Sequence, residues 1–465
     1  MALLRQRSLR FPGKFLWGTA SSSHQCEGGN TNNQWFRWER AGRIYTGEQS
    51  GRAANWWKQA EADFALAEQM ENNALRLGIE WSRVEPSEGV WDSAAIDRYR
   101  AMLLDLRRRH MKPMVTLHHF TEPLWFSERG AFSKAENLRY FVRYVKYVVE
   151  QLQDLCNFWI TINEPNVYAY LGYLFGTWPP GEKNVLLALR TLRNLIQAHV
   201  EAFYAIREAQ PQAEIGYCLS YRLMDPASPL SPLDRGVAAI QEMFFNWGIL
   251  QGSESGHFPQ PMGMLMQPIA RAPAARDFHG VNYYTRDLVR FDLSRPLELF
   301  GRRFIRPGSV RNDPSFSGDD TFGEIYPEGI YRVLKSVYKK TRGNKPIYIT
   351  EFGFSDALDD RRPRAILEHL AMVHRAISEG IPVRGVLHWT LTDNFEWNEG
   401  FGVRFGLIEL DPRTQERIPR SSASMYGEIC RANAITERIV ERYAPEAMDS
   451  IFGERTSSAH YVKQA

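Results

Sequence analysis

Short runs of almost continuously apolar residues recur along the chain, and longer amphipathic stretches separate them. Each run has about the length of a β-strand, and continuous apolarity is typical of strands buried on both faces of a parallel sheet. The pattern predicts eight strands, at residues 16–21, 74–80, 113–119, 158–163, 214–220, 279–284, 347–351 and 386–392.

The stretches between these runs repeat apolar residues at spacings of three and four, the period of a helix with one buried face. The clearest patterns start at Trp57, Leu138, Leu189 and Ile366. Strands alternating with helices predict an α/β fold, a (β/α)₈ TIM barrel with elaborated βα loops. An open doubly wound sheet is the alternative. Its dinucleotide-binding form is disfavoured because no G-x-G-x-x-G motif follows the first strand.

The chain is predicted to form a single catalytic domain over residues 1–465, since no stretch has the composition of an interdomain linker. Residues 286–326 are long, polar and rich in Arg, Pro, Ser and Asp, which predicts an elaborated loop after the sixth strand. Residues 455–465 are expected to be a polar tail.

Composition excludes several classes of protein. With 44% apolar and 24% charged residues, the chain is neither disordered, collagen-like nor a coiled coil. A net charge of +3 gives no indication of nucleic-acid binding. No apolar run approaches the ~20 residues of a membrane span, and the N-terminus lacks the apolar stretch of a signal peptide. We therefore expect a cytoplasmic protein that binds neither nucleic acid nor membranes. The oligomeric state is left open.

The four cysteines lie far apart, without a C-x-x-C pair. They favour a reducing compartment and disfavour a zinc site, and we expect no metal and no cofactor. The cysteines are Cys26, Cys156, Cys218 and Cys430.

Polar and aromatic side chains gather where the predicted strands end, which is where barrels of this type carry their active sites. Seven strand ends supply them, and convergence on one face is difficult to attribute to core packing. The candidates are Gln25, Arg76, His119, Asn163, Glu164, Asn282, Tyr284, Glu351, Trp389, Glu396 and Trp397.

Two carboxylates, Glu164 and Glu351, each follow an apolar strand at the point where it turns into a loop. Cleavage of a glycosidic bond needs one carboxyl group to protonate the leaving oxygen. A second must attack the anomeric carbon or activate water. Opposed carboxyl groups also separate their pKa values, because one ionised group disfavours ionisation of the other. The pair therefore indicates glycoside chemistry.

Three motifs now match a known pattern: T-I-N-E-P at 161–165, I-T-E-F-G at 349–353 and D-N-F-E-W at 393–397. In motif order and spacing, and over nearly the whole chain, the sequence resembles glycoside hydrolase family 1, the β-glucosidase and β-galactosidase type. The resemblance implies a retaining β-glycosidase that hydrolyses terminal β-D-glucosyl residues, and galactosyl or fucosyl residues as well.

The resemblance also implies roles. Glu164 becomes the general acid/base and Glu351 the nucleophile. The glycone-binding set maps onto Gln25, His119, Asn163, Glu396 and Trp397, with Trp389 as the platform under the sugar ring. Arg76 would hold Glu351 ionised, supported by Asn282, and Tyr284 could donate a hydrogen bond to Glu351. Either Tyr283 or Tyr284 could face inward.

Three positions depart from the family's usual residues: His24, Phe120 and Phe352 stand where Tyr or Phe, Trp and Asn are common. Both carboxylates are unaffected, so the departures bear on fine specificity.

Several functional alternatives stay open. The same site could transfer sugars to acceptors other than water. It could act on 6-phosphorylated sugars, although a Glu396 carboxylate would repel a phosphate. The fold could also belong to a catalytically silent sugar-binding protein. A protein that binds membranes or nucleic acid through its Arg-rich loop is disfavoured by the mixed charges of that loop.

Overall fold

Eight parallel strands close into a barrel in the computed structural model, which describes residues 7–316, 322–343 and 345–453. The barrel strands are β1 (Leu16–Ala20), β2 (Ala74–Gly78), β3 (Lys112–Thr116), β4 (Phe158–Asn163), β5 (Glu214–Pro226), β6 (His279–Phe291), β7 (Ile347–Phe352) and β8 (Val383–Trp389). Each strand pairs with the next along the chain, and β8 returns to pair with β1. This closure confirms the (β/α)₈ barrel.

The helices between strands also follow the sequence pattern. The four clearest helical patterns lie in Trp56–Gln69, Leu138–Leu152, Val185–Ala209 and Arg362–Ser378. The other α-helices are Ser23–Glu27, Gln34–Arg40, Trp81–Val84, Ser93–Arg108, Leu124–Glu128, Pro165–Ala169, Pro232–Glu242, Gly248–Ser255, Met262–Leu265, Pro327–Lys340, Ser421–Ala432, Glu437–Tyr443 and Met448–Phe452.

Shorter elements complete the described chain. Two π-helical turns, Tyr170–Leu174 and Met243–Trp247, extend helices near the barrel mouth. Short strands pair outside the barrel as Ser8–Arg10 with Ala434–Thr436 and Ile408–Leu410 with Arg417–Pro419. The 3₁₀ turns are Ala131–Ser133, Ala135–Asn137, Pro296–Glu298, Trp397–Glu399 and Pro445–Ala447.

Strands β5 and β6 extend beyond their predicted ends and stay paired as far as Pro226 and Val289. Residues 286–291 therefore belong to a strand and not to the predicted loop. β6 then pairs antiparallel with Gly301–Phe304. Charged residues such as Arg222 on β5 and Asp287 on β6 make these extensions resemble a loop in the sequence. In the structure the two side chains form an ion pair, 2.6 Å apart, across the paired strands.

The interior of the barrel is closed below the site by a buried apolar layer. Ala74, Met114, Ile160 and Leu387 from four different strands belong to it. A larger apolar core lies between the barrel and its helices. Side chains one layer higher on the same strands, including Arg76 and Thr116, are buried polar groups. The layer therefore forms the floor on which the polar site is built.

All four cysteines are free and buried. Among the described residues, no helix has both the length and the apolarity to cross a membrane. The predicted polar tail at 455–465 lies outside the described residues.

Candidate active site

The two carboxylates of the sequence motifs enter the barrel at irregularities in strand pairing. On β4 the register with β5 shifts between Ile160 and Asn163, and on β7 the register with β6 shifts between Ile349 and Glu351. Such bulges re-aim side chains and are common beside active sites. Glu164 then takes a left-handed backbone conformation, φ 44°, directly before helix Pro165–Ala169.

Glu351 is held by a cation and a phenol. The Arg76 guanidinium donates from Nη1 to Glu351 Oε1 at 2.5 Å, and Tyr284 Oη donates to Glu351 Oε2 at 2.5 Å. Tyr284 therefore faces the site, whereas the Tyr283 hydroxyl donates to the carbonyl of Tyr326 on the outer side. Both oxygens of Glu351 are thus bound by charge-assisted or short hydrogen bonds that favour the ionised form.

Glu164 has a different environment. Asn282 Nδ2 donates to Glu164 Oε1 at 2.9 Å, and the same nitrogen lies 3.1 Å from Asn163 Oδ1. Arg76 Nη2 donates to that Asn163 oxygen at 2.7 Å. The two amides consequently connect Glu164 to the cation that binds Glu351, while leaving Glu164 without a direct ion pair in the described structure.

These environments separate the two carboxyl groups. Burial raises the pKa of Glu164 to about 8, and the nearby charge of Glu351 adds to the shift. Burial also raises the pKa of Glu351 above its ordinary value, but the Arg76 cation and the Tyr284 hydroxyl oppose that rise. Glu351 therefore ionises before Glu164, and one proton remains on Glu164 near neutral pH.

A third carboxyl group stands at the other end of the site. Gln25 Nε2 donates to Glu396 Oε2 at 3.0 Å, and Trp389 Nε1 approaches the same oxygen at 3.4 Å. Ser22 fixes the Gln25 amide by donating to its oxygen at 2.7 Å. Burial raises the pKa of Glu396 to about 8, so this carboxyl can both donate and accept hydrogen bonds at neutral pH.

Three aromatic rings line the cavity together with this carboxyl group. The His119 ring lies 5.8 Å from that of Trp389 and 6.1 Å from that of Trp397, nearly parallel to both. Burial and the Arg76 cation lower the pKa of His119 well below its ordinary value, so the ring is neutral. Flat, neutral surfaces of this kind suit the face of a sugar ring.

Two of the unusual positions are now explained. His24 Nε2 lies 2.8 Å from Glu39 Oε1, and the ring stacks on Trp397 with centroids 5.9 Å apart. Phe352 packs against His388 in the helix-facing core and does not line the cavity. The departure at Phe352 therefore leaves the cavity wall unchanged, whereas His24 contacts a wall residue directly.

A cavity of about 910 Å³ opens above these groups. Seven of the predicted site residues line it: His119, Glu164, Tyr284, Glu351, Trp389, Glu396 and Trp397. The other four lie buried behind the lining and hold it in place: Gln25, Arg76, Asn163 and Asn282.

Sequence reasoning missed several supporting residues. Thr350 Oγ1 donates to Asn282 Oδ1 at 2.6 Å, and Arg76 Nε donates to Thr116 Oγ1 at 2.9 Å. Thr350 directly precedes Glu351, and Thr116 is the last residue of β3, so their positions at strand ends could have drawn attention to them. Trp178 also lines the cavity, as does Phe120, the third of the unusual positions already noted in the sequence. Nothing in the local sequence distinguishes Trp178 from a core tryptophan.

Among the residues that the structure describes, no group of three His, Cys, Asp or Glu side chains has the arrangement of a metal site.

A closed parallel barrel with two buried carboxyl groups of unequal pKa at its carboxyl end has the architecture of a glycoside-cleaving enzyme.

The chain belongs to glycosyl hydrolase family 1, whose model matches residues 7–435. It is 30% identical to beta-glucosidase A of Thermotoga maritima, with 92% of this chain and 99% of that protein covered. It is also 30% identical to the 6-phospho-beta-galactosidase of Streptococcus equi subsp. zooepidemicus, with 92% and 99% covered. The solved structure of a beta-glycosidase from Pyrococcus horikoshii superposes with a TM-score of 0.85 at 38% identity, covering 94% and 98% of the chains. The resemblance inferred from the motifs is thereby confirmed.

Proposed function

We propose that this glycosidase is a retaining β-glycosidase acting on neutral β-glucosides, and on β-galactosides and β-fucosides as well. Glu351 is the nucleophile and Glu164 the acid/base. The observation that carries the proposal is the asymmetry of the pair: Glu351 is bound by Arg76 and Tyr284, whereas Glu164 contacts the Asn282 amide and keeps a pKa of about 8.

The reaction proceeds in two displacements. In the first, a Glu351 oxygen bonds to the anomeric carbon while the bond to the leaving oxygen breaks, and Glu164 gives that oxygen its proton. In the second, water attacks the anomeric carbon, Glu164 accepts the water's proton, and Glu351 leaves as a carboxylate. An acceptor alcohol in place of water gives transfer on the same site, so transglycosylation is a side reaction of this mechanism.

We infer the preference for an unphosphorylated sugar from the charges around Glu396, the part of the cavity that we assign to the sugar and call the glycone end. The repulsion expected from Glu396 is weaker than the sequence suggested, because its pKa of about 8 leaves it mostly protonated at neutral pH. Selection rests instead on the lack, among the described residues, of an arginine or lysine placed beside Glu396 that could bind the phosphate. Arg404, eight residues after Glu396, pairs with Asp393 and donates a hydrogen bond to the carbonyl of Leu410. The arginines among the described residues that line the cavity belong to other parts of its wall, namely the extensions of β5 and β6 and the segment after β6.

The proposal is tested with aryl β-glycosides that share one leaving group and differ in the sugar, while proton NMR follows the anomer released first. We expect turnover of the glucoside, galactoside and fucoside, with the β-anomer as first product. An α-anomer as first product would contradict the two-displacement mechanism. A protein that binds these glycosides but releases no product would be a silent sugar-binding protein.

A further inference from the structure

Two neighbouring residues of the short helix Ser23–Glu27 contact two neighbouring residues of the loop after β8. Gln25 Nε2 donates to Glu396 Oε2 at 3.0 Å, and the His24 ring stacks on Trp397 with centroids 5.9 Å apart and planes 12° apart. Gln25 and Glu396 were both expected in the site from the sequence. His24 was not, because it stands where the family commonly has Tyr or Phe and does not line the cavity.

Hydrogen bonds at both nitrogens fix the plane of the fully buried His24 ring. Nε2 lies 2.8 Å from Glu39 Oε1, and Nδ1 lies 3.1 Å from Asn33 Nδ2. The Asn33 side-chain oxygen accepts from the backbone N–H of Phe36 at 2.8 Å and so caps helix Gln34–Arg40, which leaves its nitrogen facing His24. An amide nitrogen only donates. Nδ1 is therefore an acceptor, and the ring proton lies on Nε2, where Glu39 accepts it.

Glu39 is held on its other side as well. Its Oε2 accepts from the backbone N–H of Ser50 at 2.8 Å and from the Ser50 hydroxyl at 2.9 Å. Both carboxylate oxygens are thus bound, and the side chain is fully buried. Side chains locked by packing and by such hydrogen bonds can hold a neighbouring group precisely. Glu39 itself does not line the cavity, so any effect it has on a bound sugar passes through His24.

Trp397 depends on its surroundings for its position. Its backbone has φ 50°, a left-handed conformation that a bulky residue keeps only where the surrounding structure enforces it. Its ring lines the cavity, and within the described part of the chain no group accepts from its indole N–H. This donor is therefore available to a hydroxyl group of the substrate. It can distinguish one hydroxyl from another only if the ring is held within about 10–20° of the productive orientation.

We propose that His24 is a positioning residue for sugar recognition, and that Glu39 acts through it to hold the Trp397 indole in the orientation that the sugar requires. The inference rests on the proposed function, which places the sugar at the glycone end, beside Glu396. The order of action is Glu39, then His24, then Trp397. A change at Glu39, outside the cavity lining, should accordingly alter sugar recognition in the same way as a change at His24.

Aryl β-glucosides that lack the 3-, 4- or 6-hydroxyl group test the proposal. For each enzyme, the ratio of kcat/KM between the parent and a deoxy analogue gives the penalty for losing that hydroxyl. Trp397→Phe keeps a ring and removes the N–H, so it should reduce one penalty by about fivefold and thereby identify the hydroxyl concerned. His24→Phe and Glu39→Gln should each reduce the same penalty by about two- to fivefold. Lower activity or stability with every penalty unchanged would overturn the proposal.

The double variant His24→Phe/Glu39→Gln tests whether the two residues act in series. Its effect on the identified penalty should equal that of His24→Phe alone, because both changes reach Trp397 by one route. Effects that multiply would contradict the order of action.

The matched control is His369→Phe. His369 is another fully buried histidine, with Nδ1 2.7 Å from the carbonyl of Ala365, and it does not line the cavity. Its variant should lose stability but keep all three wild-type penalties. A control that reduced the same penalty as His24→Phe would contradict a specific role for His24.

Crystal structures of the wild type, His24→Phe and Glu39→Gln separate this inference from the proposed function. We expect the Trp397 indole plane to rotate by at least about 10–20° in both variants. An indole that keeps its wild-type orientation in either variant would reject the inference even if the enzyme hydrolyses glucosides. A rotated indole in a protein that hydrolyses no β-glycoside would keep the positioning of Trp397 and reject the proposed function.

Discussion

Arg76 and Glu351 form an ion pair in the barrel interior, with Nη1 and Oε1 2.5 Å apart and the two side chains 0% and 4% exposed. Water screens such a pair little, so each partner strongly affects the protonation of the other. Arg76 also donates to Asn163, which connects the pair to the second carboxyl group through Asn282. The pair therefore sets the order in which the site loses its protons.

Replacing Arg76 with methionine should move the acidic limb of the pH–activity profile to higher pH. The limb reports ionisation of Glu351, and without the cation the pKa of Glu351 rises further. The profile of kcat/KM on an aryl β-glucoside checks this. Loss of a buried partner should also reduce stability by about 3–5 kcal/mol.

The control for that variant is Arg362→Met. Arg362 is another fully buried arginine, paired with Asp359 outside the cavity. The Arg362→Met variant should lose stability, as Arg76→Met does, but the acidic limb of its pH–activity profile should stay at the wild-type pH. An Arg76→Met profile with an unmoved acidic limb would remove Arg76 as the electrostatic partner of Glu351.

The alkaline limb of the wild-type profile should lie near pH 8, where Glu164 loses the proton that it must donate. Asn282→Ala removes the amide that favours the ionised form of Glu164, so its alkaline limb should move to higher pH. Titrating activity on a glucoside with a poor leaving group checks both statements. A limb that stays in place in the variant would show that another group controls it.

Glu164→Ala should slow the enzyme according to the acidity of the leaving group. Poor leaving groups need protonation and should lose about 10²–10⁴-fold, whereas strongly acidic phenols should lose much less in the first step. Pre-steady-state kinetics on aryl β-glucosides of graded phenol acidity measure that step. Equal losses across the series would count against Glu164 as the acid.

An aryl β-glucoside should exceed its 6-phosphate in kcat/KM by on the order of 10²–10³, because no arginine or lysine in the described part of the chain stands beside Glu396 to pair with the buried dianion. The variant Glu396→Gln distinguishes the missing cation from charge repulsion by Glu396 as the cause of this preference. If charge repulsion by Glu396 were decisive, the variant would gain strongly on the phosphate, whereas the raised pKa of Glu396 predicts little gain. A wild-type preference for the phosphate would reject the assignment of a neutral substrate.

The barrel could be predicted from the sequence because all eight of its strands are buried and hence apolar over most of their length. The extensions of β5 and β6 could not, since their charged residues resemble a loop until Arg222 and Asp287 are seen to pair. The eighth strand is predicted at residues 386–392, three residues too late, because the observed β8 runs from Val383 to Trp389.

The candidate site residues could be proposed from the sequence, because chemistry-bearing side chains cluster at strand ends, and their roles stay predictions. The geometry of these residues could not be predicted in this way. The pairing shifts that turn Asn163 and Glu351 into the barrel have no signature in the sequence. The choice between Tyr283 and Tyr284 likewise needed the structure. The single domain, the cytoplasmic location and the absence of a cofactor stay predictions.

The central claim is that Glu351 bonds covalently to the sugar, and trapping that intermediate tests it most directly. The enzyme is incubated with a 2-deoxy-2-fluoro-β-glucoside bearing an activated leaving group, which slows the second displacement more than the first, and is then digested for mass spectrometry. We predict the added mass of one fluorosugar on the peptide that carries Glu351, at the side chain of Glu351 itself. A sugar attached to any other residue, or turnover of the parent glucoside with no covalent species formed, would contradict the account.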